Sequence, residues 1–475
     1  NWAYQQWFEK GLHNLKHKVL SSNSYTKKDG TIVLAFTVES QAPYGASLLG
    51  GTSGTYTLRE HKDKPFGKDD FKFTSNQIWT IYKDGSIELS SSITSNNASV
   101  VLARLGYSLQ LPAEYSNYSY YGRGPINNYA DRKTAQFIEM HKSTVKDQFV
   151  PWPNPQNMSN NEDVRWTALT NDNGQGVVFV AKEHLATSAL DYSELELTLA
   201  PHPYQLPKSS GVHVHLDAAV TGLGGNSCGQ GPPLDKDRVK AVPTAIGFII
   251  RPVQNNDMKE KVQVATAGDA PISIVRSSNG EVSMLAGNKS EPVLYSLNNA
   301  KPRVYKAPFD LRTGGTVTAW YQHNEKLKVT QQYTKIETIP MEVVFASSQE
   351  TGEGDAKNLL DGDPSSIWHT MYSVTVAQYP HWVDFDAARI KIIKGFTFLP
   401  RQDGPNGDIK DYKIQVSKDG KNWEEVMSGS FERNKKLKTV RFEKPVKGRY
   451  IRFTGLNSQR GDDYASGAEF MVIAE

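Results

Sequence analysis

Short β-branched and apolar runs, separated by Gly, Pro and Asp-Gly steps, recur from one end of this chain to the other. Residues 31–38 read TIVLAFTV, and the runs at 78–82 and 86–89 flank Asp84-Gly85, a strong hairpin signal. Residues 176–181 and 246–250 are apolar without alternation and of strand length, the mark of strands buried on both faces. A helical period is confined to short stretches, 2–15 and 188–199 among them. The pattern predicts an all-β protein. So many strands before residue 253 exceed one small sandwich and call for a large, double-layered one.

A polar break at Arg251-Pro252-Val253-Gln254-Asn255 sets a boundary, so 1–253 is read as the large β-sandwich. Residues 254–340 are short and polar, with strands at 317–321 and 327–330, and suffice for a small immunoglobulin-like or fibronectin-like sandwich acting as a spacer. A third all-β unit covers 341–475. It holds a hairpin pattern around Asp419-Gly420, with strands expected at 412–417, 438–442 and 449–453. No period of 20–50 residues runs through the chain, which excludes a solenoid or propeller.

Composition narrows the function classes. The 475 residues carry 54 Lys+Arg against 51 Asp+Glu, a formal net charge of +3. Without a dense basic run, that balance gives no footprint for nucleic acid. No stretch of about 18 apolar residues exists, so no membrane-spanning helix is expected. The one cysteine, Cys228, excludes an intramolecular disulfide and a Cys-based zinc cluster. Nine Trp and 22 Tyr suit stacking on the C–H faces of sugars, and equally suit a sandwich core. The opening Asn1-Trp2-Ala3-Tyr4-Gln5-Gln6-Trp7 lacks the pattern of a signal peptide and reads as a domain interior, so a piece of a longer protein is expected.

In the last unit, Asp361-Gly362-Asp363 turns two carboxylates onto a tight loop, Ser366 follows, and Glu469 stands near the far end. Hard oxygen ligands of this kind suit Ca²⁺. The same Asp-Gly-Asp-Pro run also suits an Asx-turn with solvated carboxylates. The unit resembles the discoidin, or coagulation factor type C, fold and within it the family 32 carbohydrate-binding modules. The resemblance rests on 360–370, 379–385, Gly395 to Gly404, Asn406-Gly407, 409–412, 448–453 and 465–469. It implies a jelly-roll sandwich holding a structural Ca²⁺, with Na⁺ accepted by the same kind of ligands. Those ligands would be Asp361, Asp363, Ser366 and Glu469 with the carbonyls of Asn358 and Ala468. It also implies a site for galactose-type sugars made of His369, Arg401 and Asn406, with Tyr372 and Tyr464 as stacking rings.

The large unit shows no paired carboxylates at catalytic spacing and no Ser/His/Asp order. Gly222-Leu223-Gly224-Gly225 follows no βαβ pattern and so is not a nucleotide loop. His213 and His215 share one face of a strand, with no carboxylate partner evident in the sequence. The unit resembles the small-chain β-sandwich of family 2 β-galactosidases through Tyr121-Gly122-Arg123-Gly124-Pro125, Asn128-Tyr129, Asp131-Arg132, Pro155-Gln156, 163–166 and 216–229. Asn127 and Asn157 stand where that family usually has Glu. By the resemblance, His213 falls where relatives send an aromatic towards the sugar pocket.

Family 2 β-galactosidases are retaining hydrolases whose two catalytic Glu residues lie on a (β/α)₈ barrel. No βα alternation is present here, so the resemblance implies a C-terminal portion of a secreted or periplasmic bacterial β-galactosidase. That portion would have no catalytic residues of its own and would partner the barrel of its parent chain and galactose-containing glycans. The alternative from another class is a stand-alone glycan-binding or adhesion protein, since fold does not imply function.

Overall fold

The computed structural model describes residues 4–50, 56–224, 233–255, 257–263, 271–277, 279–287 and 291–475. Trp2, Gly225 and Cys228, which figured in the expectations above, lie outside the described residues. The chain divides into two compact units. One comprises Asn1–Val275, Met284–Lys306 and Thr318–Thr330, and the other Arg276–Ser283, Ala307–Val317 and Gln331–Glu475. Strands dominate both, as the sequence pattern predicts.

The first unit is built on an eleven-stranded antiparallel sheet. Its order is Lys16–Thr26, Ile32–Gln41, Phe73–Ile81, Ile87–Ser95, Thr244–Val253, Gly176–Leu190, Asn161–Thr170, Asn117–Gly124 and Phe137–Thr144. The Asp84-Gly85 hairpin forms as expected: Gly85 takes φ 82°, Asp84 Oδ1 accepts from the Ser86 amide at 2.9 Å, and Ile81 pairs with Ile87. The 15-residue strand Gly176–Leu190 pairs along one edge with Asn161–Thr170 and along the other with two strands in turn. Its first half pairs with Thr244–Val253 and its second half with Val212–Val220, which in turn pairs with Arg104–Leu111. The layers close over a core that includes Leu89, Tyr118, Phe179, Val212, Leu216 and Phe248.

The helical expectations shrink. Of 2–15, only Tyr4–Glu9 and a 3-10 turn at Leu12–Asn14 are helical. Of 188–199, residues up to Leu190 belong to the strand and the helix is Glu194–Leu199. The cause is local. Ser193 accepts from the Glu196 amide while the Glu196 carboxylate reaches back to Ser193, so a capping box fixes the helix start after Leu190.

The segment expected as a spacer carries two small sheets. One orders Ile272–Arg276, Glu281–Ala286 and Phe309–Asp310; the other orders Arg303–Val304, Val293–Leu297, Gly315–Tyr321 and Asn324–Tyr333. Its residues are shared between the two compact units.

The second unit holds a seven-stranded antiparallel sheet. The order runs Thr338–Ile339, Glu469–Ala474, His381–Leu399, Lys438–Gly455, Asp411–Ser417 and Trp423–Ser430, and Glu342–Ala346 also pairs with His381–Leu399. The runs at 438–442 and 449–453, read as two strands in the sequence, are one long strand with an irregular middle. Fully buried Phe396, Phe398, Phe453 and Phe470 pack ring on ring, and fully buried Trp368 belongs to the same core. Trp368 Nε1 is satisfied by the Ser348 carbonyl at 2.9 Å. At one end, Trp368–His369 pairs with Ser466–Gly467 and ties two loop regions together.

Candidate functional site

That short ladder brings the residues expected to bind sugar in the second unit to one place. His369 is 6% exposed and stands edge-on to the Tyr372 ring at 5.2 Å, with the Tyr464 ring at 5.4 Å. Its Nδ1 donates to the Thr370 carbonyl at 2.6 Å. Burial holds the imidazole below its ordinary pKa and Arg401 adds to this. The Thr370 carbonyl, Asp462 and Glu350 pull the other way. The neutral ring is therefore favoured near neutral pH.

Arg401 donates from Nε and Nη2 to Asp403 at 2.8 and 3.0 Å, and from Nη1 to the Asn406 carbonyl at 3.5 Å. Asn406 is joined to the ladder strand, since Ser466 Oγ donates to its carbonyl at 2.8 Å. Its Oδ1 accepts from Arg460 Nη1 at 3.2 Å. All five expected residues thus share one end of the unit, with stacking rings, a buried imidazole and planar donors together.

Several contributors were not read from the sequence. Glu350 accepts from the amides of Tyr372 and Ser373 at 2.7 and 3.0 Å, and Glu353 accepts from the Tyr372 hydroxyl at 2.5 Å. These carboxylates orient the aromatic loop. Asp403 carried a signal two residues after Arg401; Arg460 carried none, because it lies 54 residues from its partner.

The six residues expected around a cation fall on the 3-10 turn Ala356–Leu360, on the loop after it, and at or just before the start of Glu469–Ala474. Asp361 Oδ1 accepts from the Asp363 amide at 2.8 Å, and Ser366 Oγ donates to Asp361 Oδ2 at 2.6 Å. Asn358 uses its side chain on the Ile367 carbonyl at 2.9 Å. Ala468 donates its amide to the Leu399 carbonyl at 2.8 Å. Among the described residues no three His, Cys, Asp or Glu side chains close into a ligating group. Glu469 is the exception to an otherwise satisfied loop. It is 8% exposed, and neither carboxylate oxygen has a hydrogen-bond partner of good geometry. Burial, then the charges of Asp361 and Asp363, push it up to about 8, with only the Gly362 amide opposing. A buried, unpaired carboxylate beside two others is costly without positive charge, and a hard cation there would supply it.

In the first unit His213 and His215 lie on one face of Val212–Val220, and here the structure corrects the sequence reading: both have carboxylates opposite. The capped helix supplies them. His215 Nε2 is 2.5 Å from Glu194 Oε1, and His213 Nε2 is 4.0 Å from Glu196 Oε2. Arg104 joins the group at 3.3 Å from Asp217, 3.4 Å from Glu194 and 2.9 Å from Asn157. Gly106 pairs with Asp217 across the strands, where a Cβ would lie 2.4 Å from Asp217 Cα, so the close pairing there needs glycine. Burial opposes ionisation of Glu194, yet the His215 hydrogen bond and Arg104 hold it down to about 2. Burial raises Asp217, against the pull of Arg104 and His215. A cleft of about 240 Å³ opens beside these groups, lined by Ser108, Gln110, Ser193, Glu194, His213 and His215. His213 Nε2 is buried there without a hydrogen-bond partner.

The family described as beta galactosidase small chain matches residues 1–250, more than half of the sequence. The chain belongs to that family. An F5/8 type C domain, the discoidin type, matches 344–470. Curated relatives include the β-galactosidase of Priestia megaterium, 35% identical over 152 residues, which are 32% of this chain and 15% of that protein. The β-galactosidase BgaC of Bifidobacterium adolescentis is 38% identical over 130 residues, 27% of this chain and 12% of that protein. A sialidase of Micromonospora viridifaciens is 36% identical over 137 residues, 28% of this chain and 21% of that protein. The small-chain chain thus covers 12–21% of the length of these three relatives.

Among solved structures, CpGH89CBM32-5 from Clostridium perfringens, in complex with GalNAc-β-1,3-galactose, is 32% identical over 29% of this chain and 99% of that one, with a TM-score of 0.27. The family 32 module of C. perfringens NanJ, in complex with galactose, is 29% identical over 29% of this chain and 97% of that one, with a TM-score of 0.26. No helix among the described residues of this small-chain protein is long and apolar enough to cross a membrane.

Proposed function

We propose that this chain is the non-catalytic C-terminal portion of a retaining β-galactosidase that is secreted or periplasmic. In this reading its second unit binds galactose-containing glycans. The observation that carries it is the convergence of His369, Tyr372, Tyr464, Arg401 and Asn406 on one end of that unit. Aromatic rings take the apolar face of a pyranose, while the imidazole and the planar donors read its hydroxyls. Binding of this kind tethers a hydrolase to its substrate and raises the effective concentration at the active site.

The first unit would form a wall of the sugar pocket on the parent barrel, with His213 at the cleft. A wall contributes by orienting the sugar and excluding water, which can carry much of a rate enhancement. The catalytic carboxylates, about 5–5.5 Å apart in a retaining enzyme, would come from the barrel. A Ca²⁺ ion, or Na⁺ in its place, would be held by Asp361, Asp363, Ser366 and Glu469 with the carbonyls of Asn358 and Ala468. Its contribution there is charge neutralisation beneath the binding loops.

Calorimetric titration with galactose and lactose, with and without Ca²⁺, tests the reading beside an Arg401→Ala variant. Saturable binding that disappears in the variant is expected, together with no turnover of a nitrophenyl galactoside by the chain alone. Absence of binding to any galactoside would remove the sugar site.

A further inference from the structure

A separate cavity, of about 340 Å³, opens on the first unit. It lies at the turns between Lys16–Thr26 and Ile32–Gln41 and between Phe73–Ile81 and Ile87–Ser95. Its volume falls in the range of small-molecule sites. Ile249 and Arg251, from the strand Thr244–Val253, line it together with Tyr82, while Asp29, Lys83 and Asp84 stand exposed on the two turns. It shares no residue with the cleft beside His213.

Arg251 sets the chemistry of this cavity. The residue is 8% exposed, and its Nη1 donates to the carbonyls of Lys261, at 2.7 Å, and of Gln263. These two bonds fix one end of the guanidinium. Among the described residues no carboxylate forms an ion pair with it, and Nε and Nη2 have no hydrogen-bond partner. Neither of those nitrogens is enclosed by protein, so both open on the cavity. A guanidinium placed this deep is costly without an anion. Its Nε–Nη2 edge offers two parallel donors, the arrangement that fits a carboxylate.

The surroundings limit which anion fits. Asp84 accepts from the Ser86 amide at 2.9 Å and from the Ser86 hydroxyl at 3.0 Å, and Asp29 accepts from the Thr31 amide at 2.9 Å. The amide bonds foremost hold both carboxyls below their ordinary pKa, so both stay ionised at the rim. Two negative charges there repel a phosphate dianion. Hydroxyl groups, in contrast, can donate to the lone pairs that the turns leave open. Tyr82, anchored by donating to Glu88 at 2.6 Å, adds an aromatic wall for the C–H face of a pyranose.

We infer that this cavity binds a sugar acid, with the carboxylate on the Nε–Nη2 edge of Arg251, ring hydroxyls donating to Asp84 and Asp29, and the ring against Tyr82. Lys83 adds positive charge at the rim. A uronic acid residue combines all three features. A neutral sugar leaves Arg251 without a counter-charge, and an inorganic anion leaves the rim carboxylates and the tyrosine unmatched. The inference does not depend on sugar binding by the second unit. It gives the first unit a glycan contact of its own, directed at an acidic residue.

The test uses the whole chain carrying Arg401→Ala, so that the site proposed in the second unit stays silent. D-galacturonate, its uncharged methyl ester and inorganic sulfate are titrated calorimetrically. Galacturonate should bind saturably, several-fold more weakly when salt rises from ~0.05 to ~0.5 M, while the ester and sulfate should bind at least tenfold more weakly. Arg251→Lys keeps the charge but loses the paired donors, and should cost about tenfold to a hundredfold. No binding of galacturonate, equal binding of the ester or of sulfate, or an unchanged affinity in Arg251→Lys overturns the inference. Should Arg251→Lys fail to fold, labelling with phenylglyoxal decides the matter without it. Galacturonate, and not its ester, should protect Arg251 as read by peptide mass. An Arg251 that is inert to the reagent, or labelled equally with and without galacturonate, overturns the inference as well.

Discussion

If the loop around Glu469 holds the proposed cation, removing that ion should make the second unit fail at a pH where most proteins are at ease. Glu469 has an unfolded value of 4.5 and is pushed up to about 8 when folded without a cation. Between these values the native state holds a proton that the unfolded state has released. The contribution of Glu469 to stability therefore falls as pH rises from about 4.5 to about 8, and is flat outside that window. The full displacement corresponds to at most ~5 kcal/mol, and relaxation of the loop with water entry reduces it. Even half of that is worth roughly 10 °C in the melting temperature of a unit of this size. Bound Ca²⁺ replaces the proton, cancels the slope, and at a hundred times its dissociation constant adds about 2.7 kcal/mol.

The assay is thermal unfolding from pH 5 to pH 8.5, followed by near-ultraviolet dichroism, with Ca²⁺ or with a chelator. The melting temperature should fall with pH only in the chelator, and Glu469→Gln should abolish both the slope and the response to Ca²⁺. Equal melting temperatures at pH 8 with and without Ca²⁺ would refute the reasoning, as would a slope that survives in Glu469→Gln.

Three further outcomes follow from the geometry. Arg104→Ala takes from Asp217, whose side chain is 2% exposed, the guanidinium 3.3 Å away and should cost ~3–5 kcal/mol in urea unfolding; a loss under about 1 kcal/mol would show that His215 or solvent offsets the charge. Sugar binding that needs neutral His369 should stay level from pH 8 down past 6.5. It should fall only below that, because burial and Arg401 outweigh Glu350 and Asp462; an inflection at or above 6.5 in calorimetry contradicts this. Trp368→Ala, at a fully buried position in the aromatic core, should destabilise the second unit by ~3–5 kcal/mol and remove sugar binding with it, whereas Arg401→Ala should remove binding at unchanged melting temperature.

Much of this protein is written in patterns no longer than one element. The Asp84-Gly85 hairpin, the buried runs at 176–181 and 246–250, and the tight Asp361-Gly362-Asp363 loop are decided by backbone sterics and burial over a few neighbouring residues, and each appears where the pattern puts it. The residues proposed to bind sugar came from the likeness to family 32 carbohydrate-binding modules, and the structure brings those five to one end of the second unit. Helix limits were not legible: the 188–199 stretch has a helical period, but strand pairing claimed residues up to Leu190 and the Ser193 capping box took the rest.

What only the tertiary structure decided is which charges and donors meet. His215 finds Glu194 across a helix and a strand, Arg104 finds Asp217 on the neighbouring strand, and Arg460 reaches Asn406 from another loop. Sequence determined the set of hydrogen-bonding groups and the strands that carry them. Their pairing was set by the closure of loops far apart in the chain, where the desolvation cost of an unpaired buried charge leaves few arrangements that fold.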